Sequence, residues 1–168
     1  MIIMHNSKEI TGSDISVQLL TISDSRKIEN DRSGELMKKY IEASPFQLAG
    51  YSILREDFSV LDGAYRKLLE EPGIDVIISS GGTGLSGRDR TIEVLEEILE
   101  SRLDGFGEIF RFLSYEEIGP RAVLSRAMAG KANKKLFFAL PGSPAAVRLG
   151  FEKIILEILK HAVEITLS

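Results

Sequence analysis

A glycine-rich segment between an apolar run and a helical pattern is the first place where this sequence suggests chemistry. The run Val76–Ser80 leads directly into Gly81, Gly82, Thr83 and Gly84. Glycine lets a backbone approach a ligand closely, and successive free N–H groups bind anions. A flexible connection is the alternative when such a loop is taken alone. The spacing fits neither the Walker A phosphate loop nor the G-x-G-x-x-G fingerprint, so a phosphate or carboxylate ligand of another kind is predicted.

Small polar residues follow two other apolar runs. Ser23, Asp24 and Ser25 come after the first run, and Ser143 lies between two prolines after the last. Hydroxyl and carboxylate groups at such junctions can bind a ligand. They can also form local turns, which is the commoner use of the first three residues. For Ser143 the alternative is an N-cap, with Pro144 at the first position of the final helix.

Two carboxylates, Asp57 and Asp89, complete the candidate chemistry. Asp57 follows the second apolar run, and Asp89 follows the glycine loop. Acids beside a phosphate-binding loop repel the ligand unless a cation lies between them or unless they act on the substrate. Each aspartate taken singly is better explained as a helix N-cap. Together they indicate a Mg²⁺-dependent reaction of a nucleotide.

These residues need a scaffold that brings them together, and the alternation of apolar runs with helical periods predicts one. Residues 15–23, 47–57, 75–80 and 135–140 read as strands separated by helices. Strands that are apolar throughout belong to a parallel sheet covered on both faces. The sequence therefore predicts a three-layer α/β/α sandwich with a mostly parallel sheet. Ligands of such folds bind at the carboxyl ends of the strands.

Two helical regions complete this prediction. Residues 105–134 are expected to form short helices broken at Gly119-Pro120 and at Gly130. A long terminal helix is expected from Pro144 onward. Its predicted inward residues are Val147, Phe151, Ile154, Ile155 and Ile158.

Composition excludes several classes of site. The 168 residues include no cysteine, and His5 and His161 are the two histidines, so thiolate and histidine-rich metal centres are excluded. A metal would be a hard cation bound by oxygen, most plausibly Mg²⁺. The net charge of −4 argues against general binding of nucleic acid.

The distribution of apolar residues also predicts the organisation and location of the protein. No apolar run reaches the length of a membrane span, and the first residues lack the features of a signal peptide. We therefore expect a cytoplasmic protein without membrane contact. Residues 1–13 are predicted to form a flexible N-terminal arm, and residues 14–168 a single α/β domain.

Several motifs in order resemble one known family. The segments TISDSR, SSGGTGLSGRDRT, GFGEIFRFLSYEEIG, LSRAMAGKANK and LPGSPAA are similar to the MoaB/MogA family of molybdenum-cofactor biosynthesis proteins. The resemblance runs from about residue 15 to the last residue, and FRFLSYEEIG favours the MoaB branch. Two segments depart from the family pattern. Arg90-Thr91-Ile92-Glu93-Val94 replaces a proline-containing helix start, and Arg55-Glu56 replaces a proline-containing turn before Asp57.

The resemblance implies a specific function. It implies a homotrimer or a hexamer built as a dimer of trimers, binding molybdopterin and Mg-ATP. In this family molybdopterin is adenylylated and pyrophosphate is released. Asp57 and Asp89 are implied as catalytic residues that also hold Mg²⁺. The ligand-contacting residues implied by the match, with Glu108 and Arg126 as further contacts, are Ser23, Asp24, Ser25, Gly81, Gly82, Thr83, Gly84 and Ser143.

Two other functional classes remain open. One is a non-catalytic molybdopterin-binding or scaffold protein, since related domains serve in assembly in gephyrin-like proteins. The other is an unrelated α/β enzyme with a phosphate-containing ligand that converged on a glycine loop. Retention of both aspartates favours the enzyme over the scaffold.

Overall fold

A six-stranded sheet forms the centre of the protein in the computed structural model, which describes residues 10–168. The strands follow the order β2-β1-β3-β6-β5-β4. Neighbours are parallel except for β5, which is antiparallel to both β6 and β4. Their bounds are β1 Ser16–Ile22, β2 Gln47–Leu54, β3 Val76–Ser80, β4 Ser101–Arg102, β5 Met128–Ala132 and β6 Lys135–Leu140.

Helices connect these strands and cover the sheet. Shorter 3₁₀ turns lie at Gly12–Asp14, Ile28–Asn30 and Gly119–Leu124. The π-helical turn Phe151–Ile155 joins the last two helices into one continuous rod. The helices are α1 Arg32–Glu42, α2 Phe58–Glu70, α3 Thr91–Ile98, α4 Asp104–Ile118, α5 Pro144–Gly150 and α6 Leu156–Leu167.

Alternation along the strands produces two hydrophobic layers. In β1, Val17 and Leu19 join the layer of α1, α4, α5 and α6, whereas Leu20 and Ile22 join the layer of α2 and α3. Successive side chains of a strand point to opposite faces, so an entirely apolar strand needs cover on both. The predicted three-layer α/β/α sandwich with a mostly parallel sheet is confirmed.

Side-chain caps set where three of the helices begin. Asp31 accepts a hydrogen bond from the Gly34 N–H at 2.9 Å at the start of α1. Asp57 accepts from the Val60 N–H at 3.0 Å and begins α2. Ser143 accepts from the Ala146 N–H at 3.1 Å and begins α5. Each cap satisfies an N–H group that the helix leaves without a partner.

The predicted interruption at Gly119-Pro120 is confirmed, but the one at Gly130 is wrong. Helix α4 ends at Gly119, which has φ +64°. Gly130 instead lies in the middle of β5, opposite Phe137 of β6. A Cβ atom there would lie 2.5 Å from the Ser101 carbonyl oxygen of β4. The glycine therefore marks a close approach of two strands. In the sequence, a glycine with this role looks the same as one that breaks a helix.

The terminal helix is present, but one of its predicted inward residues is not buried. Val147, Phe151, Ile154 and Ile155 are buried as expected, whereas Ile158 is 37% exposed. The π-helical turn Phe151–Ile155 adds a residue to one turn and shifts the pattern after it. Leu159 and Val163 consequently face the core in α6.

Two predictions about the chain as a whole meet the structure in part. Residues 1–9 of the predicted arm lie outside the described residues. Ile10 contacts the hydrophobic layer of α1, and Gly12–Asp14 forms a 3₁₀ turn. The arm and the boundary at residue 14 stay predictions. Among residues 10–168, no helix is long and apolar enough to cross a bilayer.

The turn between β5 and β6 gives a test of the fold. Asn133 and Lys134 adopt φ +46° and +59°, a conformation that costs a non-glycine residue roughly 1–2 kcal/mol. Two-residue hairpin turns of this kind favour Asn-Gly. We expect Lys134→Gly to raise the free energy of unfolding by about 0.5–1 kcal/mol, measured by urea denaturation. Lys131→Gly, at an exposed position within β5, is the control and should lower stability. A lower stability of both variants would contradict the conformational cost assigned to Lys134.

Candidate functional site

Three loops line one cleft at the carboxyl ends of the central strands. Helix α1 leaves β1 on one face of the sheet, and α2 returns to β3 on the other. This reversal opens a crevice, the usual place for a ligand in a fold of this kind. The cleft has a volume of about 470 Å³. Its lining includes Ser23, Ser25 and Arg26 after β1, Gly81–Gly84 after β3 and Pro141–Ser143 after β6.

The glycine loop is fixed at both ends. The Gly81 N–H donates to the Leu140 carbonyl oxygen at 2.9 Å, and a Cβ at Gly81 would lie 2.2 Å from the Ile22 carbonyl oxygen. Gly81 also has φ +107°, which favours glycine. At the other end, the Arg126 Nη2 donates to the Gly84 carbonyl oxygen. These contacts support a loop with a fixed conformation over the flexible connection that the sequence left open.

Asp89 lies in the cleft and is held by hydrogen bonds. Its carboxylate accepts from the Ser86 N–H at 2.9 Å and from the Ser86 hydroxyl at 2.6 Å. Burial raises the pKa of Asp89, but hydrogen bonds from Ser86 and Gly84 and the charge of Arg126 together hold it below its usual value. Asp89 therefore presents a fixed negative charge at neutral pH.

The second aspartate lies elsewhere. Asp57 caps α2, is exposed and is not among the residues that line the cleft. The preceding residue, Glu56, lines the cleft instead. Its N–H donates to Asp24 Oδ1 at 3.0 Å, which ties β2 to the loop after β1. Burial raises the pKa of Glu56, and the charges of Asp89 and Asp24 raise it further. Sequence reasoning missed Glu56, although the departure Arg55-Glu56 was a signal for it.

Arg26 is a second residue that sequence reasoning missed. Its Nη2 donates to the Gly142 carbonyl oxygen at 2.8 Å, and its Nη1 lies 3.5 Å from Asp31 Oδ1. The Ser33 hydroxyl donates to the same Gly142 carbonyl at 2.8 Å. Arg26 thereby joins the loop after β1 to the loop after β6. The TISDSR motif contains this arginine, and only the tertiary contacts reveal its place.

The predicted polar contacts divide between the cleft and its surroundings. Ser23 and Ser25 line the cleft, and the Ser23 hydroxyl also accepts from the Arg26 N–H at 3.2 Å. Ser143 lines it while capping α5. Asp24 lies in a neighbouring groove with Ser23 and Arg26. The local-turn and capping explanations therefore hold for Ser23 and Ser143, and both side chains also border the cleft.

Arg126 and Glu108 line a separate cavity of about 410 Å³ beside α3 and α4. The Arg126 Nε donates to the Thr83 carbonyl oxygen at 3.0 Å, and its Nη2 donates to the Gly84 carbonyl. An ion pair of 2.6 Å with Glu93 fixes the guanidinium. Arg126 thus supports the glycine loop from outside the cleft. Glu108 is exposed on α4 and does not line the cleft.

The acids suit a cation that arrives with phosphate groups. Within residues 10–168, no three acidic or histidine side chains converge closely enough to hold a metal ion. Mg²⁺ is commonly bound by one or two carboxylates together with substrate phosphates and water. Asp89 and Glu56, which both line the cleft, fit that mode. Asp57, engaged as a cap, contributes to it less readily.

Comparison with known proteins identifies the family of this chain. A family model described as a probable molybdopterin binding domain matches residues 10–161. The chain belongs to this family. It is 42% identical over 152 residues to the molybdenum cofactor biosynthesis protein B of Staphylococcus aureus, covering 89% of this chain and 90% of that protein. The Bacillus cereus protein of the same name is 37% identical over 155 residues, covering 92% of each chain.

Solved structures place the chain on the MoaB/MogA side of the molybdopterin-binding family. A crystal structure of a molybdenum cofactor biosynthesis protein B superimposes with a TM-score of 0.89 at 36% identity, covering 94% of this chain and 98% of that one. The tungsten cofactor synthesizing protein MoaB from Pyrococcus furiosus gives 0.80 at 32% identity, covering 92% and 98%. The resemblance stated from the sequence motifs is therefore confirmed.

The crowding of acids in this MoaB/MogA-family cleft predicts a pH-dependent stability. A carboxyl whose pKa is raised on folding binds more protons in the folded state, so stability falls as pH rises through that window. Glu56→Gln should therefore raise the free energy of unfolding at pH 7, by up to about 1 kcal/mol. The gain should vanish below the ordinary pKa of glutamate. Urea denaturation at pH 4 and pH 7 measures this, with exposed Glu116→Gln as control. An equal gain in the free energy of unfolding at pH 4 and at pH 7 would contradict this prediction.

Proposed function

We propose that this protein catalyses Mg-ATP-dependent adenylylation of molybdopterin, giving adenylyl-molybdopterin and pyrophosphate. One observation carries the proposal. In a chain of the molybdopterin-binding family, a fixed glycine loop, an arginine and two carboxylates line the same cleft at the switch point of the sheet. The relatives named as molybdenum cofactor biosynthesis proteins support the same pathway.

The reaction joins two negatively charged groups. The terminal phosphate of molybdopterin attacks the α-phosphorus of ATP, and the bond from that phosphorus to the oxygen bridging to the β-phosphate breaks. Pyrophosphate leaves with this oxygen. The attacking phosphate is largely ionised at neutral pH, so no side chain has to remove a proton. The protein must instead bring the two groups together and offset their repulsion.

The cleft residues can supply both effects. The glycine loop and the Arg26 guanidinium, which line the cleft, would meet the phosphates with partial and full positive charge. Asp89 and Glu56 would hold Mg²⁺, which neutralises charge on the phosphates when bound. Asp89 is already fixed by Ser86 and requires little reorganisation.

A non-catalytic molybdopterin-binding protein is the second candidate. The observation that favours it is the cap at Asp57, because the resemblance implied that this residue is catalytic. If the glutamate cannot replace it, the cleft would hold a ligand without transferring an adenylyl group. Glu56 differs by one methylene and lies in the cleft, so we prefer the enzyme.

The deciding experiment incubates purified protein with molybdopterin and Mg-ATP and measures adenylylated product and pyrophosphate. We expect turnover by the wild type and a loss of about 10²-fold or more in Asp89→Asn and Glu56→Gln. Asp57→Asn retains the helix cap and should keep most of the activity.

Molybdopterin binding, measured in parallel, separates the outcomes. Binding without product in the wild type would support the binding protein and contradict the enzyme. Full activity of Glu56→Gln with loss in Asp57→Asn would assign the second acid to Asp57, as the family resemblance implies.

We further propose that the protein assembles as a homotrimer, alone or in a hexamer. The support is an exposed apolar surface on α4 and the turn after it, with Phe112 66% exposed. Contiguous surfaces of this kind mark association sites. Leu124, at one end of this surface, also lines the cleft, so a neighbouring copy would border the site. Its members are Ile109, Phe112, Tyr115, Ile118, Val123 and Leu124.

Light scattering after gel filtration tests the assembly. The wild type should have a mass that is a multiple of three times 18.6 kDa. Phe112→Lys should shift the population toward single chains, because it buries a charge in the contact. Ile165→Lys, at an exposed apolar position on α6, is the matched control. A wild type that elutes as a single chain would contradict the proposal.

A further inference from the structure

Arg26 has a special place in the charge balance of the cleft. Among the described residues that line it, Arg26 is the one cation, whereas Glu56 and Asp89 are both acids. A phosphate ester carries a charge of about −1.5 to −2 near neutral pH. Without a cation such a ligand would meet two carboxylates and partial charges from backbone N–H groups. The fixed positive charge of the cleft therefore depends on this arginine.

The guanidinium of Arg26 is held by one group on the loop after β6 and by one at the start of α1. Nη2 donates to the Gly142 carbonyl oxygen at 2.8 Å, in the loop after β6. Nη1 lies 3.5 Å from Asp31 Oδ1, at the start of α1. An arginine side chain has considerable rotamer entropy to lose on binding. Holding it beforehand lowers that cost for a ligand.

Asp31 is itself fixed. It is 3% exposed and accepts hydrogen bonds from the Tyr51 hydroxyl and the Gly34 N–H. Burial raises the pKa of Asp31, but hydrogen bonds from Thr21, Tyr51 and Gly34 and the charge of Arg26 together lower it below its usual value. The carboxylate is more than a helix cap, because it also orients Arg26.

Arg26 retains donors for a ligand. A guanidinium has five N–H groups, and its contacts here are one hydrogen bond and one ion pair. The side chain is 31% exposed and borders the cleft beside Ser23, Gly81 and Ser143. Its planar fork can bind two oxygens of a phosphate at once, which a lysine cannot do.

We propose that Arg26 is the phosphate-binding side chain of this cleft and that Asp31 is its positioning residue. This inference rests on the proposed function, because it names the group that binds the phosphates of that reaction. A purely structural latch between the loops after β1 and β6 is the competing explanation. The two differ in whether the affinity for a free phosphate compound depends on Arg26.

Binding of inorganic pyrophosphate and of ATP without Mg²⁺ tests the proposal by calorimetry at constant ionic strength. We expect Arg26→Gln to weaken both affinities about tenfold or more, equivalent to 1.4 kcal/mol. Arg26→Lys should recover part of the loss, since it keeps the charge without the fork. Asp31→Asn should weaken binding to an intermediate extent while Arg26 is present.

Arg55→Gln is the matched control. Arg55 lies in the neighbouring groove, is 81% exposed and has the same charge. A general effect of net charge would weaken binding equally in Arg55→Gln and Arg26→Gln. A specific site would leave Arg55→Gln close to the wild type. Thermal unfolding with and without pyrophosphate shows for each variant whether the folded protein still responds to the ligand.

The binding and activity measurements together decide whether Arg26 binds phosphate. Wild-type affinity in folded Arg26→Gln, or no binding of pyrophosphate and ATP by the wild type, would overturn the inference. Arg26-dependent binding without adenylylated product would support it while contradicting the enzyme. Adenylylated product from the wild type together with unchanged binding in Arg26→Gln would support the enzyme and leave Arg26 as a latch.

Discussion

The close approach of the glycine loop to the end of β1 is the contact on which the rest of the cleft depends. At Gly81 a Cβ would lie 2.2 Å from the Ile22 carbonyl oxygen, while the Gly81 N–H binds the Leu140 carbonyl. This residue therefore touches the ends of β1 and β6 from the end of β3. A larger residue would separate the loops and remove the cleft between them. Arg26 and Gly142 then join the outer two loops over the same gap.

Charge is arranged around this frame in opposing pairs. Asp89 faces inward with Ser86 as its donor, and Arg126 balances it from behind the loop. Arg26 is balanced by the buried Asp31. Asp89 and Arg26 thus each keep a fixed partner of opposite charge while they border the cleft. Such a site needs little reorganisation when a phosphate compound binds, which is the condition for electrostatic stabilisation of its reaction.

Most elements of the fold could be predicted because local patterns decide them, but β4 and β5 could not. Apolar strands such as β3 and β6, and caps such as Ser143, carry their signal within a few residues. Gly130 could not be placed correctly from the sequence. A glycine is needed there because a Cβ atom would meet the Ser101 carbonyl oxygen, and Ser101 lies 29 positions away in the sequence. The same distinction separates Gly81 and Asp89, which the motifs contain, from Arg26, whose partner Gly142 lies 116 positions away in the loop after β6.

The neighbouring acids at the start of α2 show how one residue determines the role of the next. Asp57 has φ −129° and ψ 132° and accepts from the Val60 N–H, so the helix begins after it. An N-cap directs its carboxylate to the first turn of its own helix. Glu56 lies one position before the cap and lines the cleft, and its N–H donates to Asp24 in the neighbouring groove. The cap therefore gives Asp57 a structural role and leaves the cleft to Glu56. From the sequence alone, either carboxylate could have taken either role.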